Sequence, residues 1–172
     1  MKKFYIIGID DNGQREFQAE VREIITTHRV FSGGKRHYEL MRDRLPEQYV
    51  WIDITVPLEE VFEKYAAYCE VVVFASGDPL FFGFANTVKS RLPEAEIQVF
   101  PWFNSLQMLA HRLVIPYQDM EVVSLTGRPW HEFDRALIAG KEKIGDRPSA
   151  YSGSDCRAYV GIRVCRLPDA YR

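Results

Sequence analysis

VVVFASGDPLFFGFANTV, Val71 to Val88, decides how this chain is read. Four strand formers, Val71 to Phe74, run through Ala75-Ser76-Gly77-Asp78-Pro79 into an apolar segment of helical character. The order is a buried strand, a sharp turn and a helix. Gly77 suits a strained backbone close to a ligand, Asp78 is placed to cap the next helix, and Pro79 to fill its first position. At the carboxyl end of a parallel strand such a turn lies where open α/β sheets bind ligands. The same residues also read as no more than a well-formed helix start.

Upstream, Phe4 to Ile9 is a short buried strand that ends in the turn formers Gly8-Ile9-Asp10-Asp11-Asn12-Gly13, a second candidate ligand loop. It does not form GxGxxG, so the dinucleotide fingerprint is absent. Phe17, Val21, Ile24 and Ile25 recur at helical spacing between Gln14 and Thr27 and mark a core-facing stripe. A weak strand, His28 to Phe31, leads into Ser32-Gly33-Gly34-Lys35-Arg36-His37 and a helix through Leu45. Two glycines ahead of three basic side chains place backbone amides and positive charge together, an arrangement suited to an anion, although a solvated helix end has the same composition. Tyr49 to Ile54 alternates as a strand, and Pro57 opens a helix whose buried face is Leu58, Val61, Phe62, Tyr65 and Tyr68.

Downstream of the central stretch, the helix from about Pro79 ends near Arg91, ahead of Pro93, and Glu96 to Phe100 is another strand. Asn104 and Ser105 precede a helical register of Leu106, Leu109, Ala110 and Leu113, and each is suited both to capping and to facing a ligand. Strand and helix alternate from residue 4 to about 113, which argues for a mostly parallel sheet with helices on both faces. Pro116-Tyr117-Gln118-Asp119 breaks the rhythm. The expected division is therefore an N-terminal α/β lobe over residues 1–115, the start of a second lobe over 116–145 and an atypical tail over 146–172. In the second lobe Glu121 to Leu125 reads as a strand ending at Thr126-Gly127-Arg128-Pro129, and a helix covers roughly 130–140. After Lys143 the pattern fails, with only Ala158 to Val164 resembling a strand.

The 172 residues are 47% hydrophobic and 27% charged, with a net charge of −2, which is ordinary for a soluble globular protein and gives no general attraction to nucleic acid. No apolar run approaches the ~20 residues of a membrane span, and Met1-Lys2-Lys3 leads only into Phe4 to Ile9, so a cytoplasmic protein is expected. Cys69, Cys156 and Cys165 are too far apart for a disulfide framework or a zinc site, and Cys69 reads as a buried apolar residue. His28, His37, His111 and His131 lack ligand spacing, so no metal is expected.

Three runs together resemble the tetrapyrrole (corrin/porphyrin) methylases: FSGGKRHYEL at 31–40, VFASGDPLFFGFANTV at 73–88, and PWFNSLQMLAHRLVIPYQDMEVVSLTGRP at 101–129. The second run is shared broadly across the family. The first is closer to the precorrin-6Y C5,15-methyltransferase branch, in the type that methylates C5. The resemblance implies a two-lobed α/β tetrapyrrole methylase fold with a truncated second lobe, and methyl transfer to a precorrin in cobalamin biosynthesis. The cofactor it implies is S-adenosyl-L-methionine, bound between the lobes, with no metal in the step. Carried over by position, Ser76, Gly77 and Asp78 would line the donor and Phe81 would close over it. Asn104, a departure from the family's small pair, and Ser105 would touch it, as would Thr126 from the second lobe. Gly8 and Ile9 border a loop in which Asp10 replaces the family's second glycine. Tetrapyrroles carry many carboxylates, which gives Lys35, Arg36, His37 and Arg128 a task as anchors. Asp78 is the one candidate for steering a proton, its simpler role being a helix cap. A C15-methylating, decarboxylating partner and a homodimer are further implications.

The resemblance stops near Lys143-Ile144-Gly145. Relatives continue with a strand, a Thr-Pro segment and a helix rich in Ala, Ile and Leu, whereas this chain has DRPSAYSGSDCRAYVGIRVCRLPDAYR. These residues can be written as DNA whose neighbouring frame encodes Pro-Ala-Ala-Ile-Ala, so the tail reads as a frameshift product. Two competing functions follow. One is a methylase for another tetrapyrrole position or for ribosomal RNA, the RNA branch being disfavoured by SGDPLFFG and by the lack of basic excess. The other is an inactive remnant that binds donor or partner without turnover.

Overall fold

The computed structural model describes residues 1–10 and 16–124, His131 and Arg135, and the strands Lys143–Arg147 and Ile162–Val164. Contacts divide the chain into two units, Met1–Asn104 and Ser105–Arg172.

The first unit alternates strand and helix: β1 (Lys3–Ile9), α1 (Ala19–Thr27), β2 (Val30–Gly33), α2 (Lys35–Met41), β3 (Val50–Asp53), α3 (Leu58–Ala66), β4 (Glu70–Ser76), α4 (Phe84–Arg91) and β5 (Glu96–Phe100). The strands form one sheet in the order β3-β2-β4-β1-β5, and every pairing is parallel. Phe4 stands opposite Val71 and Ile9 opposite Ser76, so the carboxyl ends of β1 and β4 finish level. Because side chains alternate across a strand, Val71, Val73 and Ala75 join Phe4, Ile6, Val61, Tyr65, Ala85 and Val88 on the face covered by α3 and α4. Val72 and Phe74 join Ile7, Val21, Ile24, Ile25, Phe31 and Met41 on the face covered by α1 and α2. Val71 to Phe74 are all within 1% of complete burial. At ~1.5–3 kcal/mol for each large apolar side chain fully buried, this strand fixes the middle of the sheet.

The helices are shorter than their apolar stripes suggest. Phe17 is buried but precedes α1, and Gln14 and Arg15 lie outside the described residues. α2 stops at Met41 and gives way to a 3₁₀ turn, Arg42–Arg44, short of the expected Leu45. Pro57 is the N-cap of α3 rather than a residue inside it, and Tyr68 falls beyond its end. The largest correction concerns α4, which starts at Phe84 with Gly83 as N-cap, not at Pro79. Cys69 is exposed, contrary to its expected burial, because it lies in the turn between α3 and β4, where its carbonyl accepts from the Lys3 amide at 2.8 Å.

The second unit contains α5 (Ser105–Leu113), β6 (Glu121–Ser124), β7 (Lys143–Arg147) and β8 (Ile162–Val164). Its sheet has the order β6-β7-β8, with β6 and β7 parallel and β7 and β8 antiparallel. β7 was not expected: Lys143-Ile144-Gly145-Asp146-Arg147 has one apolar residue and no period, and backbone pairing with β6 and β8 defines it. β8 occupies the end of the segment that reads as a strand. The helix expected over 130–140 lies outside the described residues, apart from His131 and Arg135, which are helical. Among the described residues no helix is long and apolar enough to cross a membrane.

Candidate functional site

All five strands of the first unit end on one edge, and the chain after β4 folds over that edge. The Gly77 amide donates to the Ile9 carbonyl at 2.9 Å, while the Gly77 carbonyl accepts from the Trp102 amide at 3.2 Å. In the order β4-β1-β5, Gly77 therefore bridges the tip of β1 to reach the chain that follows β5. Two glycines permit this crossing. Gly77 has φ +62°, in the left-handed region that L side chains rarely adopt. A Cβ on Gly8 would lie 2.0 Å from the Gly77 carbonyl oxygen and 2.7 Å from the Trp102 nitrogen. Gly8 and Ile9 are thus buried beneath the bridge, and the Ile9 carbonyl is taken by it. Sequence reasoning marked Gly8 and Gly77 but missed Trp102, whose contribution is a backbone amide that no side-chain pattern announces.

Beyond the bridge, Asp78 does not cap a helix. Its Oδ1 accepts from the Leu80 amide at 2.9 Å and its carbonyl from Phe81 at 3.1 Å, closing a turn over residues 78–81. Pro79 is buried and its carbonyl accepts from Ala85, so the helix cannot begin until this carbonyl has been passed. A Cβ on Gly83 would stand 2.4 Å from the Pro79 oxygen, and Asn86 Nδ2 donates to the Leu80 carbonyl at 2.8 Å. Gly83 and Asn86 therefore hold the loop, and neither was singled out in the sequence. The loop presents Ser76, Leu80 and Phe82 as exposed residues, with Asp78 and Phe81 half-buried.

The neighbouring loop, between β2 and α2, is tied to this one. His37 Nδ1 lies 3.2 Å from the Gly34 amide, and its Nε2 lies 2.9 Å from Ser76 Oγ. The runs SGGKRH and ASGDP, distant in sequence, are thereby joined at one point, with Lys35 and Arg36 exposed on the first turn of α2. The Gly34 amide, one of the backbone amides expected to face an anion here, is instead engaged by His37. A Cβ on Gly33 would lie 2.9 Å from the His37 Cβ and 3.1 Å from the Trp51 ring. Below the loop, Ser32 Oγ donates to the Ile52 carbonyl at 2.7 Å, so the Tyr65 hydroxyl, also at 2.7 Å, donates to Ser32. Burial pushes the Tyr65 phenol up to about 12. Tyr38 on α2 meets Tyr49, oxygen to oxygen, at 3.1 Å, and that bond, more than burial, raises the Tyr49 pKa.

Asn104 ends the first unit, with its Cα and the Phe103 carbonyl packed about Gly77. Ser105 opens α5 in the second unit. Thr126 and Arg128 lie outside the described residues. Among the described residues no group of three or more His, Cys, Asp or Glu could hold a metal ion.

The fold is found again in solved structures. A precorrin-6Y methylase from Archaeoglobus fulgidus (cbiE) matches 85% of this chain and 72% of its own length, with TM-score 0.62 and 17% identity. The methyltransferase CobJ matches 86% of this chain and 68% of its own, with TM-score 0.65 and 20% identity. These likenesses establish the fold. No family model matches the chain. In sequence, a precorrin-6Y C(5,15)-methyltransferase [decarboxylating] from Sinorhizobium sp is 37% identical over 127 residues, 72% of this chain and 30% of that protein. A cobalt-precorrin-7 C(5)-methyltransferase from Salmonella typhimurium is 26% identical over 124 residues, 72% of this chain and 61% of that protein. The chain thus spans about a third of one curated relative and three-fifths of the other. Sequence and fold point together to the tetrapyrrole methylase superfamily. Within it, the similarity is to precorrin-6Y and cobalt-precorrin-7 methyltransferases of the C5 type.

Proposed function

We propose that the chain is an S-adenosyl-L-methionine-dependent methyltransferase that methylates C5 of a precorrin in cobalamin biosynthesis. The observation that carries this reading is the Gly77 bridge at the carboxyl edge of the sheet, in a chain whose curated relatives are methyltransferases of that type. The groups there fit such a donor. Ser76 offers an exposed hydroxyl, Asp78 a carboxylate for hydroxyls or a cation, Phe81 an aromatic surface, and Asn104 an amide beside Gly77.

When bound, S-adenosyl-L-methionine supplies an electrophilic methyl group on a sulfonium. The chain's task is to hold donor and acceptor carbon in line and to exclude water, which is where most of the rate enhancement of such a transfer can arise. Gly77 fixes the loop, Ser76 and Asp78 offer it polar contacts, and Lys35 and Arg36 stand ready for substrate carboxylates. Thr126, Ser105 and Arg128 remain proposed contacts from the second unit, and a C15-methylating partner and a dimer remain proposed assemblies.

Titration calorimetry with S-adenosyl-L-methionine tests the reading. Saturable binding is expected, weakened about five- to thirtyfold by Gly77→Ala, since a Cβ at this φ costs roughly 1–2 kcal/mol. Absence of binding both in this chain and in a version with the tail frame restored would sink the proposal. The atypical tail favours a second reading, a form that binds donor or partner without turnover, and binding by the restored version alone would favour it.

A further inference from the structure

We infer that His37 is a neutral latch that fixes the hydrogen-bond direction of the Ser76 hydroxyl, and not a cationic anchor for substrate carboxylates. A peptide amide can only donate a hydrogen bond. His37 Nδ1, 3.2 Å from the Gly34 nitrogen, therefore accepts and carries no proton. A neutral imidazole then holds its proton on Nε2. That N–H lies 2.9 Å from Ser76 Oγ and donates to it. Once the serine oxygen has accepted there, its own proton is directed away from the ring. Ser76 is exposed at the end of β4, so the hydroxyl is set as a donor toward whatever occupies the carboxyl edge. A carboxylate or a ring nitrogen of a ligand is the matching acceptor. A second proton on the imidazole would set N–H against N–H at Gly34 and break the latch at that end.

The glycine pair takes its meaning from the same geometry. A Cβ on Gly33 would meet the His37 Cβ at 2.9 Å, whereas one on Gly34 would meet only the His37 Nδ1, at 3.9 Å. Gly33 thus makes room for the stem of the histidine, and Gly34 supplies the amide that selects its tautomer. The SGGKRH run is a device for seating an imidazole against the β4 loop. Lys35 and Arg36 remain as its cations.

That the Ser76 proton meets the methyl donor rests on the function proposed above, but the protonation state of His37 does not, so two measurements separate them. Long-range proton–nitrogen spectra of the histidine-labelled chain at neutral pH, with the His37 signals assigned by their loss in His37→Gln, should show the neutral Nε2–H form. An imidazolium or the Nδ1–H form would overturn the latch. Donor titrations should then find His37→Gln, whose amide both accepts and donates, within about threefold of the parent. His37→Arg, which keeps charge and loses the acceptor, should bind about tenfold more weakly, as should Ser76→Ala, the scale expected for one hydrogen bond. An arginine variant as good as the parent beside a failing glutamine variant would also overturn it. If the parent binds no donor, the donor reading fails while the spectra still decide the latch.

Discussion

A methyl group at position 8 has nowhere to go. It would stand 2.0 Å from the Gly77 oxygen and 2.7 Å from the Trp102 nitrogen, both backbone atoms of the bridge, so relief requires the bridge itself to move. Gly8→Ala is expected to cost at least the ~1–3 kcal/mol usual for overpacking and to abolish donor binding. Gly34→Ala, which meets only one atom at 3.9 Å, should stay within about 1 kcal/mol of neutral. Urea titrations of the two variants test the contrast. Tyr65 offers a prediction in pH. Its ordinary pKa is 10.0 and burial raises the folded value to about 12. Between those values the unfolded chain gives up a proton that the folded chain keeps, so stability is intact below pH ~10 and falls as pH rises toward ~12, by up to a few kcal/mol. Tyr65→Phe should lose about 1 kcal/mol near neutrality, with its bond to Ser32, yet lack that decline. The difference in unfolding free energy between parent and variant should shrink and then reverse across this window. A constant difference would show that the phenol is not the group responsible.

At the scale of elements, the first unit was legible where burial imposes a period. Val71 to Phe74 and Phe4 to Ile9 are core strands because they are continuously apolar, and Val61 and Tyr65 mark the inner face of α3 by helical spacing. The start of α4 was not legible. Asp78-Pro79 has the grammar of a helix start, but the Pro79 carbonyl is used by Ala85, and Gly83 must lie against it, which postpones the helix to Phe84. Such a backbone contact leaves only a glycine in the sequence, and its partner cannot be named from the sequence alone. The site was legible as two motifs, SGGKRH and ASGDP, but not as one place, because the His37–Ser76 bond spans 39 residues of sequence. The loop between Gly77 and Gly83 is held from the helix side by Asn86. Asn86→Ala should cost about 1 kcal/mol of stability. It should also weaken donor binding by loosening Asp78 and Phe81. Unchanged donor affinity would show that the loop is held without it.

For the whole molecule the question is what the tail does to the second unit. Leu113, Val114 and Tyr117 are 53%, 89% and 38% exposed, a run of apolar surface around the end of α5. β7 crosses the position where the family resemblance stops, so the backbone ladder continues into residues whose side-chain pattern has already failed. The residues from Asp146 can be written as DNA whose neighbouring frame encodes an Ala- and Ile-rich segment, and such a segment has the composition of a core-covering helix, which the present tail, with its scattered Pro, Ser, Gly and Arg, has not. Restoring the frame is therefore expected to raise the urea midpoint and lower the binding of a hydrophobic dye. The donor should bind more tightly as well. The size of the gain follows from area: each large apolar side chain moved from water into a core contributes ~1.5–3 kcal/mol, so even two or three of them would be seen plainly in an unfolding curve. Sequencing the locus supplies the independent arm. A gene with no such segment in either neighbouring frame removes the frameshift, and a restored protein no more stable than the present one removes its structural consequence.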